Sequence, residues 1–333
     1  MKRLYLDCAA SFPALYKKQY FFSNPSSLHQ EGREAQREIA KSKEYFFTLF
    51  GLSPYDYHLI FHSGATEGLQ SFILQSKQPY ATSIFSHKCL TSFSQASFFD
   101  SLVPSKEEPL FSFFTIVPSE TGTFLQDHPF IKNVHCDCAQ MIGKHPSLKL
   151  FGNFDSYTFS AHKFGGPKGL GFSFIKKTFP YQPLFLGSQQ DKLRGGTINI
   201  TGILQTEEAL KKFLEKFDWN QAILLKQRLI EIFQNIFSED IEFPFAHHSS
   251  QAAGIFSFYL KNIASEKAFI HFDQGGLAIS LGQACSLGED QSFFLKELQI
   301  PKPLLRISPS PFLQEKDINF LYKTLKAIKR KLL

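Results

Sequence analysis

No apolar run in the 333 residues approaches the length needed to cross a bilayer. The opening residues, Met1 to Asp7, carry a basic pair but no apolar stretch of the secretory kind. The expectation is a soluble, cytoplasmic protein with no membrane partner. Cysteine is sparse: five residues, an odd number with no paired zinc-type spacing, argue against a disulfide framework and agree with a reducing compartment. His135-Cys136-Asp137-Cys138 superficially resembles a metal cluster, yet alternation along a strand sends Cys136 and Cys138 to the face opposite Asp137, so no metal is expected there. Dense basic patches are missing too. The net charge of +6 is scattered, and the one cluster, Lys326 to Lys331, closes a C-terminal helix where it complements the helix dipole, so no nucleic-acid surface is expected. Internal repeats and low-complexity linkers are also absent.

What is present is a chain long enough for a large core and a second, smaller unit, with 43% hydrophobic and 20% charged residues. Phenylalanine is used 39 times, as core filling or compositional bias. Strand-like and helix-like segments alternate, which predicts an α/β domain with a largely parallel sheet. Residues 32–50 and 203–217 carry helical periodicity, as does 219–237, a helix long enough to link two domains. Beyond about Gln251 the spacing predicts strand 254–260, helix 265–273, strand 277–280, strand 304–308 and a last helix.

The chemistry concentrates around Ser160-Ala161-His162-Lys163-Phe164-Gly165-Gly166-Pro167-Lys168-Gly169-Leu170-Gly171. A lysine that forms a Schiff base needs a strand end to hold it and backbone without side chains where a bulky cofactor approaches. Upstream, strand 58–61 runs into Ser63-Gly64-Ala65-Thr66-Glu67 and a helix, an arrangement whose free amides bind an anion, with the Thr66 hydroxyl as a further donor. It lacks the lysine of a P-loop and the three-glycine dinucleotide spacing. Three further strand ends present His87, Ser119 and Asp137, with Gln140 three residues on, and ligands of open α/β sheets lie beyond such ends. A phosphate cup at Ala65-Thr66, an aspartate at 137 and a lysine at 163 are the three groups that pyridoxal phosphate requires.

With these stretches, Asp7-Cys8-Ala9-Ala10, Asn24-Pro25-Ser26-Ser27-Leu28-His29 and Arg194-Gly195-Gly196-Thr197-Ile198-Asn199 complete a series that resembles, in order and over nearly the whole chain, the signatures of cysteine desulfurases of the NifS/IscS type. These are class V, fold-type I pyridoxal-phosphate enzymes. The resemblance implies a large domain, residues 14–245, with a mostly parallel seven-stranded sheet, and a small α+β domain from residues 1–13 and 246–333. It implies that Lys163 holds the cofactor as a Schiff base, His87 stacks on the ring, Asp137 pairs with the ring nitrogen and Gln140 bonds the phenolic oxygen. Ala65, Thr66, Ser160 and His162 would hold the phosphate, and Thr197 would reach the phosphate of a neighbouring subunit in a homodimer. Arg306 would clamp the substrate carboxylate beside Ser119. Cys285 would take the sulfur of L-cysteine as a persulfide and pass it to an acceptor or scaffold protein, as in iron-sulfur cluster assembly. Positive groups near the cofactor, His87 if protonated and Arg306, would lower the Cys285 pKa.

The chain departs from that pattern in three places. Gln283 stands where the family usually has serine, the stretch from Cys285 to Arg306 is a few residues shorter, and Pro118-Ser119 replaces a paired asparagine. Another class V lyase or aminotransferase, selenocysteine lyase included, and a poorly active sulfur-transfer scaffold therefore stand as alternatives.

Because Lys163 is the lysine placed with both a phosphate cup and an aspartate, Lys163→Ala is expected to abolish the visible absorption of bound cofactor. Borohydride reduction and peptide mapping check it; label on another lysine would refute the assignment.

Overall fold

The computed structural model describes residues 2–19, 23–76, 79–93, 96–99, 111–124, 133–150, 152, 154–282, 295 and 298–332. After a short N-terminal strand, β1 (Leu4–Tyr5), come β2 (Tyr57–His62), β3 (Tyr80–Ser83), β4 (Ala96–Phe99), β5 (Ser112–Thr115), β6 (Val134–Asp137), β7 (Ser156–Ser160) and β8 (Gly171–Lys176). The last seven build one sheet in the order β2-β8-β7-β6-β5-β3-β4. Strand β8 runs antiparallel to both neighbours and the other pairs are parallel, so the expected mostly parallel seven-stranded sheet is what forms. The reversal has a local cause. Only a short glycine-rich turn separates β7 from β8, too little chain for a parallel crossover.

Helix α1 (Gln30–Phe50) begins where His29 Nδ1 accepts the Gly32 amide and stops at Gly51, whose φ of 69° is a left-handed cap that glycine adopts without strain. Its inner face carries Phe46, Phe47 and Phe50 against the sheet. There the abundant phenylalanine is core filling: Phe50 lies 4.7 Å from Phe159, and Phe172 lies 4.8 Å from both Phe46 and Phe159. Strand β2 is a sheet edge, and the Gln190 side-chain amide covers it by accepting the Phe61 N–H at 2.7 Å and donating to the Phe61 carbonyl at 2.9 Å. His135 is a core imidazole, stacked 3.9 Å from Phe72 and bonded to Ser156 at 2.8 Å.

Helices α2 (Ala65–Ser76) and α3 (Lys88–Thr91) follow β2 and β3, and α4 (Ile200–Lys216) and α5 (Trp219–Phe237) lead to a second sheet. That sheet holds β9 (Ile241–Glu242), β10 (Phe256–Leu260), β12 (Ser280–Leu281) and β13 (Leu305–Ile307) in the antiparallel order β12-β13-β10-β9. The single strand expected over 277–280 is two: β11 (Leu277–Ala278) pairs with β1, and β12 pairs with β13. The chain changes partner at Ile279. Helices α6 (Ser265–Gln274) and α7 (Glu315–Leu332) cover this sheet, α7 burying Ile318, Leu321, Leu325 and Ile328 at helical spacing. No helix among the described residues is long and apolar enough to cross a membrane.

Gly68 sets how closely α2 lies on the sheet. A Cβ there would sit 2.6 Å from His62 Nε2 and 2.7 Å from Thr158 Cγ2, both buried side chains. Gly68→Ala is therefore expected to destabilise the protein by about 1–3 kcal/mol through overpacking, measured as a lowered denaturation midpoint; an unchanged midpoint would show that the helix shifts freely.

Candidate active site

The C-terminal ends of β3, β5, β6 and β7, the N-terminus of α2 and Arg306 of β13 surround one cavity of ≈ 490 Å³. Ala65, Thr66, His87, Ser119, Asp137, Gln140, Ser160, His162, Lys163 and Arg306 all line it, gathered from segments far apart in the chain. Thr197 does not; it is exposed on the segment leading into α4. Cys285 lies outside the described residues.

Lys163 closes a short 3-10 turn, Ala161–Lys163, after β7, and its Nζ donates to the Ala9 and Ala10 carbonyls at 2.8 and 3.0 Å. Asp137 ends β6 and accepts the Ala139 amide at 2.9 Å. Burial pushes its carboxyl up to about 6, against the pull of that amide and of Lys163. His87 caps α3, its Nδ1 accepting the Cys89 amide at 3.2 Å. Burial, with Lys163 and Lys88 nearby, lowers its imidazole to about 4, so the ring is neutral at pH 7. The condition under which His87 would lower the Cys285 pKa, a protonated ring, is therefore not met. His162 is likewise pushed down to about 4 by burial and by Lys163, Lys168 and Lys144.

At the head of α2, Glu67 accepts the Ser63 amide at 2.8 Å and Arg194 Nε at 3.0 Å. Burial opposes its ionisation, but these bonds hold it down at about 2. They fix the turn that presents the first amides of the helix. Opposite, Arg306 is flanked in register by Ser257 of β10 and Ser280 of β12, and is 3% exposed. Glu120 beside it is buried, and burial raises its carboxyl to about 7 although Arg306 and Lys88 favour its ionisation.

The family model described as Aminotransferase class-V matches residues 110–321. The chain belongs to the aminotransferase class-V family. It is 26% identical to the cysteine desulfurase IscS of Dictyoglomus turgidum, the alignment covering 100% of this chain and 96% of that protein. A cysteine desulfurase of Cereibacter sphaeroides is also 26% identical, over 90% of this chain and 88% of that protein. Among solved structures, the apo cysteine desulfurase of Thermococcus onnurineus superposes with a TM-score of 0.81 at 15% identity, covering 99% of this chain and 95% of that one. A NifS-like protein gives 0.78 at 22%, covering 99% and 100%. At those identities the superpositions establish the fold.

The residues present fit the pyridoxal phosphate of class V enzymes. A Cβ built on Gly64 or Gly169 meets no atom within 4 Å, and both glycines line the cavity, so the backbone is bare where a phosphate and ring need room. Gln140 Nε2 spends one hydrogen on the Ala9 carbonyl at 2.7 Å, and its buried Oε1 has no partner among the described residues. An amine, a buried carboxylate and a helix N-terminus line one cavity, the groups that the imine carbon, ring nitrogen and phosphate of that cofactor require.

Several lining or neighbouring groups carried no legible signal of their role. Lys168 and Gly169 lie within the glycine-rich stretch yet look like ordinary turn residues. The Ala9 and Ala10 carbonyls act through the backbone, which side-chain patterns do not reveal. Lys144, its ammonium pushed down to about 7 by burial with Lys163 and Arg306 adding to the effect and Cys8 opposing it, reads in sequence as a surface lysine.

The raised Asp137 pKa has a stability consequence. Between the ordinary 3.8 and about 6 the folded protein binds a proton that the unfolded chain has lost, so stability falls as pH rises through that window. Without cofactor, Asp137→Asn is expected to escape this fall and gain up to about 3 kcal/mol over the parent by pH 8. Denaturation at several pH values measures it. A parent and variant that keep a constant difference from pH 4 to 8 would show that Asp137 is not desolvated.

Proposed function

We propose that the protein is a pyridoxal-phosphate-dependent cysteine desulfurase that converts L-cysteine to L-alanine and holds the sulfur as a persulfide on Cys285. The observation that carries this reading is the position of Arg306, which reaches from the second sheet to the cavity that Lys163 and Asp137 line. A planar cation suited to a carboxylate, opposite an imine-forming amine, is what an α-amino acid substrate needs. The curated relatives named cysteine desulfurase support the choice of substrate.

When bound, the cofactor supplies an electron sink for the substrate carbon. Lys163 Nζ would hold it and move a proton at the α-carbon. Asp137 would keep the ring nitrogen protonated, the neutral His87 would lie against the ring, and Ser160, His162 and the α2 amides with Ala65 and Thr66 would receive the phosphate. Arg306, with the Ser119 carbonyl behind it, orients the substrate carboxylate. The Cys285 thiolate attacks the substrate sulfur: a sulfur–sulfur bond forms as the carbon–sulfur bond breaks, the electron pair stays on carbon, and a proton completes alanine.

Thr197, exposed beside the left-handed Gly196, would serve a neighbouring subunit, and the exposed Leu28 and Leu186 are apolar surface that a homodimer would cover. The same reading divides the chain into a large domain, residues 14–245, and a small one from 1–13 and 246–333. It makes a sulfur-acceptor or scaffold protein in the cytoplasm, supplying iron-sulfur clusters or thio-cofactors, the downstream partner.

Cofactor-loaded protein given L-cysteine should release alanine and carry one extra sulfur on the peptide that contains Cys285, by mass spectrometry. Cys285→Ser should lose alanine release by about a hundredfold or more. Release at the parental rate, or sulfur on another cysteine alone, would replace this reading with a broader class V lyase. Bound cofactor without turnover in the parent would favour a sulfur-transfer scaffold.

A further inference from the structure

Arg306 already has a carboxylate. Its Nη2 donates to Asp7 Oδ1 at 2.8 Å and to the Ser280 hydroxyl at 3.1 Å, while Nη1 donates to the Ser119 carbonyl at 3.1 Å. The ion pair is nearly dry, with side-chain exposures of 4% for Arg306 and 18% for Asp7. A guanidinium offers a carboxylate two forked edges, Nε with Nη2 and Nη1 with Nη2, so Nη2 belongs to both. Both Nη2 hydrogens are committed. Nε is buried without a partner among the described residues, but alone it is half a fork.

An incoming carboxylate that takes either edge must therefore displace an acceptor from Nη2. Charge decides which one leaves: two carboxylates on one cation repel, whereas the Ser280 hydroxyl is neutral and can rotate. The backbone around Asp7 is held in place, with the Cys8 amide on the Ser308 carbonyl and the Ser308 amide on the Leu6 carbonyl, each at 2.7 Å. Displacement is then a side-chain rotation. Ser280 Oγ lies 3.5 Å from Asp7 Oδ2 and offers the released carboxylate a donor.

We propose that Asp7 is an internal competitor for the substrate carboxylate, occupying Arg306 in the resting protein and setting how strongly a ligand must bind to take its place. The inference rests on reading Arg306 as the substrate clamp. It makes Asp7 a specificity-determining positioning residue: an amine without a carboxylate leaves the Asp7–Arg306 pair intact, whereas an α-amino acid exchanges one carboxylate for another and keeps the buried cation matched.

The test is calorimetric binding of L-alanine, which needs no turnover, to cofactor-loaded parent, Asp7→Asn, Asp7→Glu and Arg306→Gln. Asp7→Asn still offers Nη2 an oxygen but no charge, and should bind about tenfold tighter. Asp7→Glu keeps the charge and should stay within about twofold of the parent, and Arg306→Gln should bind about tenfold weaker. Without ligand Asp7→Asn should melt below the parent, and L-alanine should raise its melting temperature by more. For L-cysteine, KM should fall in Asp7→Asn by a larger factor than kcat changes. Unchanged or weaker L-alanine binding in Asp7→Asn, or equal tightening in Asp7→Glu, would overturn the proposal, and unchanged binding in Arg306→Gln would overturn it together with the clamp. Tighter binding in Asp7→Asn by a protein that releases no alanine from cysteine would sink the desulfurase reading and leave this one standing.

Discussion

A guanidinium taken out of water must be matched, and matching Arg306 organises much of what surrounds it. Its partners come from the segment just after β1, from the loop after β5 and from β12. The same N-terminal stretch gives the Ala9 and Ala10 carbonyls to Lys163 and the Ala9 carbonyl to Gln140. A segment of a few residues thus ties the amine of one sheet to the cation of the other. Its own backbone is anchored through β1 on β11 and through the Asp7–Ser308 bridge.

The cavity is a place where burial outweighs solvation. Two imidazoles, His87 and His162, are driven neutral, Asp137 is driven towards its protonated form, and Lys144 loses affinity for its proton. Each shift is a desolvation cost that a bound charged group can offset: a protonated ring nitrogen restores the Asp137 carboxylate, and a phosphate or carboxylate suits the surrounding cations. Binding such a ligand therefore also stabilises the fold. The phenylalanine core holds these groups in place. Phe46, Phe50, Phe159, Phe172 and Phe174 pack α1 on the sheet, and Gly68 lets α2 approach closely enough to present its first amides.

Much of the fold is legible in the sequence. Alternating strand and helix patterns implied the sheet, because a period of two or 3.6 is a local property of side-chain placement. The ends of β5, β6 and β7 were marked by polar residues after apolar runs, and Ser119, Asp137 and Lys163 fall there. Where the pattern was weaker, pairing decided: residues 277–280 read as one strand, yet β1 and β13 claim separate halves of it. No local rule contains the identity of a distant partner.

The sequence by itself determined the α/β class, the turn chemistry at Gly64 and around Lys163, and the inventory of amine, carboxylate, imidazole and guanidinium from which the site is built. These follow from covalent geometry and nearest neighbours in the chain. Only the tertiary structure decided that Asp7 meets Arg306 across 299 residues, that backbone carbonyls at Ala9 and Ala10 take the lysine, and that His87 stands neutral. The physical reason is that pairing, burial and desolvation depend on which segments the fold packs together, and those energies are set by distance in space rather than along the chain.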